Sequence, residues 1–218
     1  MRTTSDGSHT LFCTAAGETY HSSAGAIVEA MHVYVSKAFD EFENICSNSL
    51  KILEIGFGTG LNALLTMLES QKRQIYVYYE TLEPFPLSAD IYERLNYCSL
   101  LPCDQKLFIS FHNSVFDKYI EYHDCFTFVK RRACVEDFVT DNQFDVIYFD
   151  AFSPNAQPEM WTENIFQKLY KILSCKGIIL TYSSKGSVKR ALRAAGFKVL
   201  RLSGAGSKHH MLKGVKLD

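Results

Sequence analysis

The stretch LEIGFGTGLNALL, residues 53–65, constrains the fold more than any other part of the sequence. It begins inside the apolar run LKILEI and ends in apolar residues at helical spacing. Between these two patterns, Gly56, Gly58 and Gly60 stand at alternate positions. Glycine accepts positive φ angles and lets a ligand come close to the backbone. The stretch therefore predicts a buried strand, a tight turn able to cradle a ligand, and a helix.

The same alternation of strand and helix patterns continues along the chain. Apolar and β-branched runs predict buried strands at 50–55, 75–82, 144–152 and 176–183. Helical patterns predict helices at 60–70, 87–97, 158–173 and 187–195. FKVLRL and HHMLKG predict a C-terminal antiparallel hairpin. The expected fold is α/β, a mostly parallel, doubly wound sheet with helices on both faces.

The beginning and the middle of the chain give weaker patterns. Residues 1–48 predict a small N-terminal elaboration, with a hairpin near TLFC and a helix over 24–42. This part is expected to pack on a core domain formed by residues 49–218. Within 98–143, TFVKRRACVEDF predicts one strand followed by a turn.

Composition excludes several classes of protein. No apolar run is long enough to span a bilayer, and the opening residues MRTTSDGSHT are polar. We therefore expect a cytoplasmic protein. The seven cysteines form no CxxC pair, which predicts reduced thiols and no metal site.

Charge is unevenly distributed although the net charge is only −1. Residues 185–213 contain eight Lys or Arg residues and no Asp or Glu. Such a segment suits a polyanion, and its candidates for phosphate contacts are Lys185, Lys189, Arg190 and Lys208. The alternative is that these charges are the ordinary solvated face of a helix and of edge strands.

The glycine turn has an acidic neighbour that bears on its ligand. Glu54 stands two residues before Gly56, so the motif reads ExGxGxG, whereas dinucleotide-binding turns read GxGxxG. A carboxylate at this place disfavours a pyrophosphate and favours a cationic adenosyl sulfonium. A second acid, near the end of the next strand, would take the ribose hydroxyls; Glu80 and Glu83 are both candidates.

The motif YFDAFSPNAQPEMW, residues 148–161, places another acid at the end of a predicted central strand. In a doubly wound sheet this end of the strand faces the same crevice as the glycine turn. Asp150 would then stand where a methyl group is transferred, unless it only caps a helix or fixes its loop.

Four segments together resemble a known family. EIGFGTGLNALL, LEPFPL, YFDAFSPN…PEMW and GAGSKHHML are similar to the methyltransferase domain of the bifunctional tRNA 5-methylaminomethyl-2-thiouridine biosynthesis proteins, MnmC. The resemblance covers about residues 20–212 and is closer to the stand-alone enzymes of MnmD type, because 218 residues leave no room for the FAD-dependent half.

The resemblance implies a Rossmann-like class I methyltransferase that uses S-adenosyl-L-methionine. It implies N-methylation of the 5-aminomethyl group of 5-aminomethyl-(2-thio)uridine at the wobble position of tRNA. The expected partners are tRNA and a separate upstream oxidoreductase or aminomethyl-forming enzyme.

The resemblance also assigns roles to individual residues. Glu54, Gly56, Gly58 and Gly60 would line the methionyl part of the cofactor. Glu83 would bind the ribose, Asp137 the adenine amino group, and Asp150 the methyl-transfer centre. The segment around Tyr20–His21–Ser22, Gly25, Glu29 and His32 would close over the cofactor. The sequence departs from the family at Glu136, where a glycine is usual, and at His209 and His210, where Arg and Glu are usual.

These roles define a reaction and its alternatives. Asp150 would hydrogen-bond the substrate amine, orient its lone pair and take a proton. Phe152, Trp161 and Tyr182 would contact the sulfonium or stack on the uracil, although such aromatic residues also belong to ordinary cores. The alternatives are a methyltransferase of the same fold that acts on a small-molecule or protein amine, an NAD-binding oxidoreductase, and a non-catalytic interaction module.

Overall fold

The computed structural model describes residues 1–42, 49–204 and 210–217. The N-terminal strands are β1 (Arg2–Thr3), β2 (His9–Thr10), β3 (Phe12–Cys13) and β4 (Glu18–Thr19). Helix α1 (Ala26–Ala30) continues through a π-helical segment (Met31–Val35) into α2 (Ser36–Phe42). The predicted hairpin near TLFC is the antiparallel pair β3–β4.

The remaining elements include the predicted alternation of strands and helices, with further short elements between residues 89 and 123. In chain order they are β5 (Ser49–Ile55), α3 (Leu61–Arg73), β6 (Tyr76–Leu82), α4 (Ala89–Tyr92), α5 (Tyr97–Leu100), α6 (Gln105–Asn113), β7 (Tyr119–His123), β8 (Phe126–Arg131), β9 (Phe144–Phe149), a 3₁₀ turn (Pro158–Trp161), α7 (Glu163–Ile172), β10 (Leu173–Thr181), α8 (Gly186–Ala194), β11 (Lys198–Ser203) and β12 (His210–Val215).

Within the described ranges, eight strands form one sheet in the order β11-β12-β10-β9-β5-β6-β8-β7. The five inner strands β10, β9, β5, β6 and β8 are mutually parallel. The edges are antiparallel, with β7 on β8, and with the predicted C-terminal hairpin β11–β12 beside β10. The predicted mostly parallel, doubly wound sheet is therefore confirmed. Strand order reverses between β5 and β9, which creates a crevice at their carboxyl ends.

Both faces of the sheet are covered because alternate strand residues point to opposite sides. On β9, Val146 and Tyr148 join the cluster under α1, α2, α3 and α6, whereas Ile147 and Phe149 join the cluster under α7 and α8. Tyr34, from the N-terminal helical segment, is fully buried in the first cluster. The N-terminal segment thus completes the main core on one face of the sheet.

Some helix boundaries differ from the predictions. The prediction of a single helix over residues 87–97 is wrong, because this part of the chain forms the two short helices α4 and α5. Between them, the side chain of Asn96 accepts from His9 N and donates to Gly7 O, which ties the chain to β2. The predicted helix over 158–173 is interrupted at Thr162, whose hydroxyl caps α7 at Ile165 N. The predictions also missed α6, which Asp104 caps through Lys106 N, and the edge strand β7.

Candidate active site

A cavity of about 590 Å³ lies at the reversal point of the sheet, at the carboxyl ends of the inner strands. Its wall comes from loops that are distant in sequence. The main contributors are the glycine turn, residues 83–85, residues 133–136, residues 150–153, and residues 18–22 from the N-terminal hairpin. The cavity is therefore bounded both by the N-terminal segment and by the carboxyl ends of the sheet strands.

The glycine turn approaches its neighbours too closely for side chains. Gly56 has φ 93°, and a Cβ there would lie 3.0 Å from Asp150 O. Gly58 has φ 51°, and its Cβ would lie 3.1 Å from the Tyr20 ring. Both residues line the cavity, whereas Gly60 stands behind them at the start of α3. The turn therefore packs closely on Asp150 and Tyr20 and presents backbone atoms to the cavity.

Glu83 holds the other side of this turn. Its carboxylate accepts from Gly58 N at 2.8 Å and from Phe85 N at 2.7 Å. Burial raises the pKa of Glu83, although these two bonds and the charge of Lys130 oppose the rise. Of the two candidate acids on this strand, only Glu83 lines the cavity. Glu80 lies on the opposite face of the sheet, paired with Arg131 Nε at 2.7 Å.

Asp150 is fixed by two neutral donors. Tyr34 Oη donates to its Oδ1 at 2.8 Å, and Asn62 Nδ2 donates to its Oδ2 at 2.8 Å. The Asp150 side chain is half-buried and lines the cavity at the carboxyl end of β9. These two hydrogen bonds hold the carboxylate in a fixed orientation at the edge of the cavity.

Glu54 lies beneath the cavity. It is fully buried and does not line the cavity, and its Oε2 accepts from Thr81 Oγ1 at 2.7 Å. Burial, together with the negative charge of Asp150, raises the pKa of Glu54 to about 8, although interactions with the Thr81, Asn62 and Tyr79 side chains oppose the rise. The expected direct contact between Glu54 and a cofactor therefore has no counterpart in the cavity wall.

Aromatic side chains form the part of the wall next to Asp150. Tyr20 and Phe152 meet edge to face with ring centroids 5.0 Å apart, and Tyr182 Oη donates to Ala151 O at 3.0 Å. Trp161 lies behind this wall, where its Nε1 donates to Phe152 O at 2.8 Å. Phe152 thus faces the cavity, and Trp161 supports the loop that carries it.

Two other predicted residues, Asp137 and Lys185, do not line the cavity. Asp137 is exposed in the turn after β8, next to lining residues 133–136. Lys185 is exposed at the start of α8. Lys208 lies outside the described residues. Among the N-terminal residues that resemble the family, Tyr20, His21, Ser22 and Glu29 line the cavity.

The lining is strongly acidic. Its carboxylates, six in the described part of the chain, are Glu18, Glu29, Glu83, Glu136, Asp150 and Glu159. The described lining includes no Lys or Arg. An enclosed site with this charge favours a cationic ligand.

Sequence reasoning missed several residues that build the site. Glu18 and Tyr34 lie in no recognised motif, and Asn62 was not singled out within the glycine stretch. The folded chain brings Tyr34 and Asn62 to Asp150, and it brings Glu18 to Ser153 N. His112 was also missed; its Nε2 lies 3.1 Å from Thr59 O, in the glycine turn. Within the described ranges, no group of three His, Cys, Asp or Glu residues is arranged to hold a metal ion. No helix described here is long and apolar enough to cross a membrane.

Comparison with known proteins bears directly on this site. Residues 120–217 match the family model described as S-adenosyl-L-methionine-dependent methyltransferase. The MnmC protein of Pseudomonas savastanoi pv. phaseolicola is 31% identical over 221 residues, which cover 90% of this chain and 32% of that protein. The MnmC protein of Leptospira interrogans is 30% identical, with 92% and 33% covered. The chain thus spans about a third of the length of these relatives.

Solved structures support the same relationship. MNMC2 from Aquifex aeolicus superposes with a TM-score of 0.77 at 25% identity, covering 97% of this chain and 68% of that chain. The strand order, the site and these matches define the chain as a Rossmann-like S-adenosyl-L-methionine-dependent methyltransferase. Within that class, the relatives to which it is similar are MnmC proteins, of which it matches about a third.

Proposed function

We propose that this chain N-methylates the 5-aminomethyl group of 5-aminomethyl-(2-thio)uridine at the wobble position of tRNA, with S-adenosyl-L-methionine as methyl donor. The observation that carries the proposal is the acidic lining around a fixed Asp150. Both the sulfonium of such a cofactor and a protonated alkylamine are cations. The names of the MnmC relatives point to tRNA, and the basic segment at 185–213 suits a polyanion of this kind.

The residues present fit this cofactor. Gly56 and Gly58 line the cavity without side chains, so the methionyl part would lie against their backbone atoms. Glu83 keeps lone pairs for ribose hydroxyls after accepting its two amide bonds. The exposed ring of Phe85 and residues 133–136 would flank the adenine. When bound, the cofactor supplies an electrophilic methyl group.

Asp150 would perform the proton chemistry on the amine. A primary alkylamine is mostly protonated near neutral pH and must lose a proton before its nitrogen can attack. The Asp150 carboxylate would attract the ammonium, accept a hydrogen bond from its N–H and take that proton, which leaves the nitrogen neutral with its lone pair free to attack. Tyr34 and Asn62 keep both carboxylate oxygens in fixed directions during this step.

The proposal is tested with tRNA from a deletion strain that lacks this methylation. The tRNA is incubated with the protein and S-adenosyl-L-methionine, and the wobble nucleosides are measured by mass spectrometry. We expect a mass gain of one methyl group on the aminomethyl nucleoside. Asp141→Asn is the matched control, because Asp141 is an exposed acid before β9, at the other end of that strand.

One result of this experiment would contradict the proposed tRNA substrate. If the tRNA remains unmodified while the protein binds S-adenosyl-L-methionine, the tRNA assignment is overturned. Transfer of the methyl group to small-molecule or protein amines in the same assay would then establish the alternative substrate class.

A further inference from the structure

Among the described residues, three buried polar atoms beneath the cavity lack hydrogen-bond partners. They are Glu54 Oε1, Asn62 Oδ1 and Tyr79 Oη. All three side chains are at least nine-tenths buried, on the side of the sheet covered by α3. An unpartnered buried polar atom costs free energy, so a group of three at one place calls for an explanation.

The orientation of Asn62 is fixed by its neighbour. Its Nδ2 donates to Asp150 Oδ2, and the reversed amide would place Oδ1 against a carboxylate oxygen. Asn62 Oδ1 therefore remains an acceptor on the side of Glu54, whose carboxyl interacts with the Asn62 and Tyr79 side chains. An ionised Glu54 offers acceptors only, and two acceptors cannot satisfy each other.

We propose that Glu54 is a neutral carboxylic acid that donates from Oε1 to Asn62 Oδ1 and thereby fixes the amide that holds Asp150. In this arrangement Glu54 Oε2 accepts from Thr81, Tyr79 Oη donates to the acid group, and all three unpartnered atoms gain partners. Glu54 is then a positioning residue for Asp150. Its effect on turnover rests on the proposed function, whereas its protonation state does not.

The surroundings of Glu54 favour the neutral form. The titratable groups that act on it are Asp150 after β9, Tyr148 on β9 and Tyr79 on β6. None of these is a cation, and complete burial further disfavours a carboxylate. The contrast with Glu80 is direct, because that buried glutamate has Arg131 and Tyr78 as donors.

The first experiment measures protonation without any assay of activity. Infrared difference spectra of wild type and Glu54→Gln at pH 7 should reveal a carboxylic acid C=O band that only the wild type carries. Glu80→Gln is the matched control and should leave that band in place. Absence of the band in the wild type would overturn the proposal.

The second experiment uses the pH dependence of folding. A pKa of about 8 in the folded state, against 4.5 for the free side chain, gives stability that is full below pH 4.5 and is lost as pH rises through 8. The wild type should therefore lose stability relative to Glu54→Gln between these values in urea unfolding. Parallel curves for the two proteins would contradict a neutral Glu54.

The third experiment measures the positioning role. Glu54→Gln keeps a donor for Asn62 Oδ1, so it should bind S-adenosyl-L-methionine within about twofold of wild type and keep most of the turnover. Glu54→Leu removes the donor and should lower kcat about tenfold with little change in the KM for the cofactor. A large loss of cofactor affinity in Glu54→Gln would instead identify Glu54 as a charged cofactor ligand.

The outcomes separate the two proposals. If wild type methylates no tRNA, the proposed function fails, and the infrared and pH measurements still decide the state of Glu54. If Glu54→Leu does not fold, Glu54→Gln alone distinguishes the neutral acid from the charged ligand.

Discussion

The cavity and the outer basic surface of this methyltransferase have opposite charge. The outer basic surface consists of Lys185, Lys189, Arg190 and Arg193 on α8 with Lys198 and Arg201 on β11. Across the described residues, none of these cations has a salt bridge to a carboxylate. The cavity lining contains carboxylates and, where described, no Lys or Arg.

The two regions meet at the carboxyl end of β10. Tyr182 lines the cavity, and Lys185 follows three residues later at the start of α8. A ligand that carries both phosphates and a protonated amine can contact a basic surface and an acidic cavity at once only when the two lie close together. The difference therefore indicates that one ligand can be attracted by its phosphates outside and by its amine inside.

The largest expected effect comes from neutralising the centre of the cavity. Asp150→Asn keeps the size of the side chain but removes the charge and the proton acceptor. We expect kcat to fall by about a hundredfold or more, while the Kd for S-adenosyl-L-methionine changes little. Single-turnover kinetics and calorimetry measure the two quantities, and Asp141→Asn should match wild type in both. Normal turnover by Asp150→Asn would remove Asp150 from the reaction.

The next effect concerns the outer basic surface. Replacing both Arg190 and Arg193 by Ala should weaken tRNA binding about tenfold and lower the salt dependence of binding, because fewer counterions are released. Cofactor affinity should remain unchanged. Lys72→Ala is the control, since Lys72 lies at the far end of α3. Equal salt sensitivity of tRNA and cofactor binding would contradict the separation of the two regions.

A smaller effect is expected at the N-terminal edge of the cavity. Glu29 is buried there, and its Oε2 accepts from Ser22 N at 2.7 Å, a bond that Gln can keep. Glu29→Gln removes one negative charge from the lining and should raise the KM for the cationic substrate about fivefold, with kcat retained. Steady-state kinetics beside the exposed control Glu121→Gln tests this. An unchanged KM would show that this charge does not act on the substrate.

The smallest effect on turnover at neutral pH is expected at His112, which supports the glycine turn from outside the cavity. Burial and the nearby charge of Lys130 lower the pKa of His112 to about 4, although its contact with Thr59 O opposes the shift. Its contribution to stability is full above pH 6.5 and is lost as pH falls through 4, by at most about 3 kcal/mol.

His112→Gln should therefore flatten the loss of stability between pH 6.5 and 4. Urea unfolding at several pH values measures this, and the wild-type slope is the reference. His112 also stacks on Tyr92 with ring centroids 4.3 Å apart, so the variant should be less stable at every pH. An unchanged slope would mean that the pKa of His112 is the same in the folded and unfolded states.

Much of the architecture could be read from the sequence. Apolar runs and the glycines gave the inner strands, the turn and the C-terminal hairpin, because these depend on local periodicity and on backbone freedom. Helix limits near Asn96 and Thr162 could not be read, because side-chain bonds to other parts of the chain decide them. The edge strand β7 is short and mixed in polarity, so its alternation is weak.

The residues of the site also fall into two groups, those that the sequence indicates and those that only the folded chain brings together. By itself, the sequence predicted the glycine turn and acids near the ends of two strands, with Glu80 and Glu83 both open on the first and Asp150 on the second, because these follow from a strand end or a turn. Only the tertiary structure decided which acids face the cavity and which are buried beneath it. It placed Glu54 beneath the cavity, brought Tyr34 to Asp150 and brought Glu29 to the cavity from the N-terminal segment. Such contacts depend on which face of a strand is covered and by which helix, and local spacing carries no information about that.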